Sequence, residues 1–212
     1  MTLKKNRIGI VDYGFGNITS LENALDYLKL DYTSLKNPKD LKNFSHLFLP
    51  GVGAFEAGIN KLKKMKWDNK IHEFVENGGY LFGICLGMQL LFKYGTNEKT
   101  NQEIKGLGFF DGKCEKFFTK CDNKLPLPHV GFNQVEHLNT KVWKNIKNPS
   151  YFYFVHSYRF NYKKNQNKYL FTDYGERFTS FVEKSNIFGS QFHPEKSHLV
   201  GLELIKNFCE LK

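Results

Sequence analysis

Gly83-Ile-Cys85-Leu-Gly87 places a thiol between two glycines. It follows the apolar run Tyr80–Ile84 and precedes Leu86–Phe92, which reads as the start of a helix. A sharp strand-to-helix turn pushes the central side chain out above a sheet edge, where it can act as a nucleophile. Flanking glycines accept backbone angles and close approaches that a Cβ would block. A helix N-terminus beside the sulfur favours the thiolate. The backbone N–H of Leu86 points to where an oxyanion would form. A buried structural cysteine could produce the same short pattern, since free cysteine is among the most buried residue types.

Gln191-Phe-His193-Pro-Glu195 supplies what a thiol nucleophile lacks. The thiol needs a base, and the base needs an orienter. Residues two apart in an extended segment point to the same side, which brings Glu195 to an imidazole nitrogen of His193. Pro194 stiffens the link by fixing φ. The apolar strand Ile187–Phe192 ends just before the pair, at the edge where open α/β sheets place their sites. Pro50-Gly-Val-Gly53 also follows a buried strand and lies at that edge. A second oxyanion donor within Val52–Gly53 competes there with a plain structural turn. Neither Gly14-Phe-Gly16 nor Gly51-Val-Gly53 completes a dinucleotide fingerprint, and no phosphate-binding P-loop is present. His46, His72, His129, His137, His156 and His198 show no metal-ligand spacing, so no metal is expected. His156 stands out only because His156-Ser-Tyr158 directly follows the aromatic strand Tyr151–Val155.

The elements that must position these groups alternate. Ile8–Asp12, His46–Leu49 and Tyr80–Ile84 read as buried strands, with Pro50–Gly53 stopping the second. Between them, Asn17–Leu30, Ala54–Lys64 and Trp67–Glu76 carry helical spacing. This order predicts an α/β fold with a mostly parallel sheet covered on both faces. After about Asn101, the segments Leu107–Phe118, Val130–Val135, Tyr151–Phe160, Tyr169–Thr172 and Phe178–Val182 read as added antiparallel strands. His198–Leu211 reads as a closing amphipathic helix. One domain over residues 1–212 is expected.

Composition bounds the function classes. The apolar fraction of 41% argues for a globular chain. Cys85, Cys114, Cys121 and Cys209 form no C-x-x-C pair, and neither a signal peptide nor a membrane-length apolar run is visible. A cytoplasmic protein with reduced thiols and no membrane contact is expected. The net charge of +10 invites a nucleic-acid reading. The lysines are scattered, with only short pairs such as Lys63–Lys64 and Lys163–Lys164, so a solvated basic face is expected instead.

Gly83-Ile-Cys-Leu-Gly-Met-Gln89 and His193-Pro-Glu195, in this chain order, resemble the class I, triad-type glutamine amidotransferases. Asp12-Tyr-Gly-Phe-Gly-Asn-Ile-Thr-Ser20, Leu49-Pro-Gly-Val-Gly-Ala-Phe55, Tyr153-Phe-Val-His-Ser-Tyr158 and Gln191–Ser197 are similar to one branch, the glutaminase subunits of imidazole glycerol phosphate synthases. The likeness spans nearly the whole chain. It implies a flavodoxin-like three-layer fold. It implies that Cys85 attacks the side-chain amide of glutamine, that His193 protonates the departing ammonia and then activates water, and that Glu195 orients His193. Val52, Gly53 and Leu86 would form the oxyanion hole; Gln89, His156, Ser157 and Tyr158 would hold the glutamine. No cofactor is implied. The implied partner is a (β/α)8-barrel cyclase subunit, joined as a heterodimer. It receives the ammonia and makes imidazole glycerol phosphate and AICAR in histidine biosynthesis. Such glutaminases are weak until the partner binds its substrate, and the implied activating event is a rearrangement of Pro50–Gly53.

The branch usually carries His-Met-Gly-Trp-Asn where this chain has His129-Val-Gly-Phe-Asn133. That departure admits an alternative, a paralogue supplying ammonia to a synthase acting on a nucleotide-linked or surface sugar. A cysteine peptidase on the same elbow and a non-catalytic binding subunit are further readings. Gln89 argues against the first and the complete triad against the second. The glutaminase fold consumes the chain, leaving no second domain to bind an ammonia acceptor.

Overall fold

The computed structural model describes residues 7–117, 125–137, 139–161 and 168–212; Cys121 and the Lys163–Lys164 pair fall outside them. Ile8–Val11 (β1), Ile18–Tyr27 (α1), Tyr32–Leu35 (β2), His46–Gly51 (β3), Phe55–Lys64 (α2), Trp67–Glu76 (α3), Tyr80–Cys85 (β4) and Leu86–Leu90 (α4) make up the first half. Phe92–Thr96 (β5), Glu103–Lys105 (β6), Phe110–Lys116 (β7), His129–Val135 (β8), Ser150–His156 (β9), Tyr158–Asn161 (β10), Lys168–Tyr174 (β11), Glu176–Lys184 (β12), Ile187–Ser190 (β13) and His198–Cys209 (α5) complete it.

Among the described residues, one sheet runs β2-β1-β3-β4-β13-β12-β10-β7-β5-β6, with β11 also paired to β12. The strands from β2 to β13 pair in parallel, whereas β12 joins β13, β10 and β11 antiparallel. The expected α/β fold with added antiparallel strands is therefore present. Apolar residues on alternate sides of each buried strand explain the layering. Phe48, Phe82 and Ile84 pack with Leu21 and Leu25 of α1 and Leu204, Ile205 and Phe208 of α5. Leu47, Leu49 and Leu81 pack on the other face with Ile59 and Leu62 of α2 and Trp67 and Ile71 of α3. Phe208 alone meets the rings of Phe48, Phe82 and Phe188 at centroid distances of 4.9, 5.1 and 5.7 Å. Each such buried aromatic contributes about 1.5–3 kcal/mol by leaving water.

Several expected boundaries move. Pro50 and Gly51 continue β3 rather than stopping it, pairing with Ile84 and Cys85 of β4. The helix after Cys85 ends at Leu90, and Phe92 opens β5, where its ring stacks on Phe160 at 3.4 Å. Tyr151–Phe160 is not one strand. β9 pairs with β8 in a separate two-stranded sheet, and β10 joins the large sheet, with Ser157 as the switch between them. Arg159, on β10, is wholly buried and binds Glu176 at 2.9 and 3.0 Å and Glu115 at 2.7 Å, tying β10 to β12 and β7.

Candidate active site

Cys85 is the last residue of β4 and the cap of α4, with φ 53° and ψ −109°. That conformation costs a non-glycine residue roughly 1–3 kcal/mol, so neighbouring packing must hold it. The glycines do so by absence. A Cβ at Gly87 would run into the Leu49 carbonyl, and one at Gly83 would lie 2.8 Å from the Gly87 backbone. Thus α4 settles on β3 and β4 more closely than side chains permit, and the corner at Cys85 follows.

His193 follows β13, itself the parallel neighbour of β4. Its N–H donates to the Tyr153 carbonyl at 2.8 Å, and the Ser197 hydroxyl donates to its carbonyl at 2.6 Å. Its Nδ1 lies 2.7 Å from Glu195 Oε1, with both side chains almost fully buried. The expected pairing of these two side chains is present, but not through an extended segment. Pro194–Lys196 forms a 3-10 turn, which curls the carboxylate back beneath the ring. Burial would pull the imidazole down. The neighbouring Cys85 sulfur and then the Glu195 carboxylate outweigh it and push His193 up to about 10. His193 Nε2 is buried, and Cys85 is the neighbour that raises its affinity for a proton most, through charge and hydrogen bonding.

An open cleft of about 630 Å³ lies over these groups. Cys85, His193, Val52, Gly53, Leu86, Gln89, His156, Ser157 and Tyr158 all line it, so the structure brings every sequence-selected residue to one place except Glu195, which supports the ring from behind. Leu86 is the first residue of α4, where a helix leaves its N–H groups without intrahelical partners. The Gln89 amide donates to Gln191 Oε1 at 3.0 Å and to the Tyr158 carbonyl at 3.3 Å.

Sequence reasoning missed three contributors. Gln191 donates through Nε2 to Cys85 Sγ at 3.7 Å and is fully buried. Its position two residues before His193 was the available signal. Glu98 and Lys116 also line the cleft, bringing a carboxylate and an ammonium to it. They lie in polar segments without a motif, and only the fold brings them together.

The class-I glutamine amidotransferase family model matches residues 9–211. The chain belongs to the class-I glutamine amidotransferases. The subunit HisH 2 of imidazole glycerol phosphate synthase from Methanococcus maripaludis is 40% identical over 205 residues, covering 96% of this chain and 98% of that protein. The HisH subunit from Caldanaerobacter subterraneus is 42% identical, with 96% and 98% covered. A crystal structure of a glutamine amidotransferase shares the fold at a TM-score of 0.72 and 18% identity, covering 96% of this chain and 97% of that one.

In this amidotransferase the turn after β3 holds one of its N–H groups away from the cleft's nucleophile. The Val52 N–H donates to the Phe15 carbonyl at 2.6 Å, which engages the donor that an oxyanion would need. Gly53, at φ 101°, gives the turn a joint at which to rearrange. At the cleft wall the amidotransferase also carries a pair of bonded imidazoles. His156 Nδ1 meets the Tyr158 carbonyl at 2.8 Å, and its Nε2 meets His129 Nδ1 at 3.2 Å.

Proposed function

We propose that Cys85, His193 and Glu195 make this chain the glutaminase subunit of an imidazole glycerol phosphate synthase, acting as one domain in the cytosol. The observation that carries the reading is His193, held at Nδ1 by Glu195 and acted on by Cys85 in the cleft that both line. The relatives named as subunits of that synthase support the pathway.

The geometry performs the reaction in two halves. Glutamine enters with its α-ammonium toward Glu98 and its α-carboxylate toward Lys116, opposite charges at the cleft wall. The Cys85 thiolate adds to the side-chain carbonyl carbon, and the carbonyl electrons move to oxygen. The Leu86 N–H and a reoriented Val52 N–H stabilise that oxyanion. The oxyanion collapses as the C–N bond breaks, and the proton on His193 Nε2 passes to the nitrogen, releasing ammonia. The glutamyl thioester remains. Neutral His193 then takes a proton from water, hydroxide adds to the thioester, and glutamate leaves as the thiolate re-forms.

The ammonia acceptor is a separate (β/α)8-barrel cyclase subunit. Its docking face is the outer side of β8–β9 beside the triad. Val130 and Phe132 are half-exposed there and Leu199 more so; Phe132 stacks on His198 at 5.1 Å and meets Tyr153 at 5.6 Å. An apolar cluster of this kind, rimmed by Lys196 over the Tyr153 ring, has the make-up of an interface core. The phenylalanine at 132 keeps an aromatic surface without an indole N–H.

The test is glutamine hydrolysis by the full chain, alone and with a barrel cyclase subunit and its substrate. Activation by the partner, lost in Cys85→Ser while free ammonium still supports synthesis, is the expected result. A Cys85→Ser variant that uses glutamine normally would remove the cysteine from the mechanism.

A further inference from the structure

Tyr13 lies in the segment between β1 and α1 and has no part in the reaction as described. Its side chain is 1% exposed, packed among Leu49, Phe55 and Leu86, and its ring stacks on Phe15 at 5.9 Å. Its hydroxyl is buried and has no hydrogen-bond partner. Leaving such a group unmet costs about 1–3 kcal/mol, and Phe in its place would fill the same space without that cost. A buried donor kept unmet in the resting state points to a partner in another state.

The position of the hydroxyl says which partner. A Cβ built on Gly51 would come 2.6 Å from the Tyr13 oxygen and 3.0 Å from the Gly87 nitrogen. Tyr13 therefore touches the last residue of β3, opposite Cys85 in the ladder. Gly51 supplies the carbonyl of the peptide whose N–H belongs to Val52, and that N–H is now engaged by Phe15. A peptide is a rigid plane, so its N–H and C=O must exchange sides together. Turning the Val52 N–H toward the cleft carries the Gly51 carbonyl to the side where Phe15 offers only another carbonyl oxygen. Two facing carbonyls repel, and the rotated oxygen needs a donor.

We infer that the Tyr13 hydroxyl is that donor: it receives the rotated Gly51 carbonyl and holds the β3–α2 turn in its oxyanion-binding state. This rests on the glutaminase reading above and names the residue that sets the balance between its resting and working turns. Burial, and then the nearby Cys85 sulfur, push the Tyr13 hydroxyl pKa upward, so it stays protonated and able to donate. Tyr13 is a positioning residue, since it acts on the substrate only through the Gly51–Val52 peptide.

The experiment compares the full chain with Tyr13→Phe, with its partner subunit present. Removing an oxyanion donor lowers kcat by about 10²–10³-fold, so losing the group that steadies one lowers it roughly tenfold or more. The KM for glutamine stays within about twofold, because the hydroxyl lies beneath the turn and off the substrate. Alkylation of Cys85 by iodoacetamide, which needs the thiolate and no oxyanion, keeps its rate. The thermal midpoint of Tyr13→Phe stays at or above that of the parent chain, since the resting fold gives this hydroxyl nothing to bond. An unchanged kcat overturns the inference. So does a matching loss in the alkylation rate, which would place Tyr13 on the thiol rather than on the turn. A parent chain that cannot hydrolyse glutamine with its partner sinks the underlying function instead, and is told apart by that control.

Discussion

His129 donates from Nδ1 to His156 Nε2 across 3.2 Å, and the tautomers of both rings follow from that bond and its neighbours. His156 Nδ1 faces the Tyr158 carbonyl, so it must carry a proton, which leaves Nε2 as an acceptor. His129 must then be protonated on Nδ1, and its Nε2 faces the Asn133 amide at 3.5 Å. Asn133 also donates to the Asp173 carbonyl at 3.0 Å. Both rings are neutral, and the run from Asn133 to Tyr158 has one consistent direction.

Acid should therefore weaken the fold. Burial holds His129 down to about 4; burial, against the Tyr158 carbonyl, holds His156 down to about 3; and burial holds His46 down to about 4. The unfolded chain takes up these protons near pH ~6.5, whereas the folded chain resists them until about pH 4 or lower. The stability these three rings contribute is thus complete above about pH 6.5 and is lost as pH falls toward 4. Thermal midpoints across that range should drop, and His129→Phe should start lower but fall less steeply. A variant slope equal to that of the parent chain would count against a neutral pair.

Strain at the nucleophile can be measured directly. Cys85→Gly and Cys85→Ala both remove the thiol, but only glycine is at ease at φ 53°. The glycine variant should be more stable than the alanine variant by about 1 kcal/mol in urea unfolding. Equal stabilities would show that the corner is relaxed.

Glu195→Gln preserves shape and deletes charge. Fixing the wrong imidazole tautomer in such a triad costs up to about 10⁴ in kcat, and a loss of roughly 10²–10⁴ is expected for glutamine hydrolysis. Because the Cys85 sulfur and Glu195 together raise His193, removing the carboxylate lowers it. The alkaline limb of the pH–rate profile should move to lower pH, and an unmoved limb would leave Glu195 without an electrostatic role.

Gly87→Ala asks whether α4 can retreat. The new Cβ would collide with the Leu49 carbonyl of the central strand β3, and neither backbone has room to give. Roughly 3 kcal/mol of stability should be lost. A change below about 0.5 kcal/mol by denaturant midpoint would mean that the strand–helix corner is plastic.

The sequence made legible the parts built from contiguous residues. β1, β3, β4 and β13 are apolar runs, and the Cys85 and His193–Glu195 groups sit at their ends as the strand-to-turn pattern requires. What escaped notice depends on distant partners. β2, Tyr-Thr-Ser-Leu, has a single buried residue and becomes a strand only by lying beside β1. β5 opens with a phenylalanine that finishes a helical pattern on paper, yet stacking on Phe160 from β10 draws it into the sheet. The split of Tyr151–Phe160 at Ser157 had no composition signal, because aromatic residues continue across it. Glu98, Lys116 and the Tyr13 hydroxyl gain their places from the tertiary fold alone.

Ser157 is the single residue at which the chain passes from the small ribbon to the broad sheet, and it also lines the cleft over Cys85. The ribbon carries the apolar outer face, and through Tyr153 it grips the backbone of His193. A force applied to that ribbon from outside passes to Ser157 at its end and, through the Tyr153 carbonyl, to His193. It would reach both jaws of the catalytic cleft at once, as a hand on a lever moves whatever is bolted near the fulcrum.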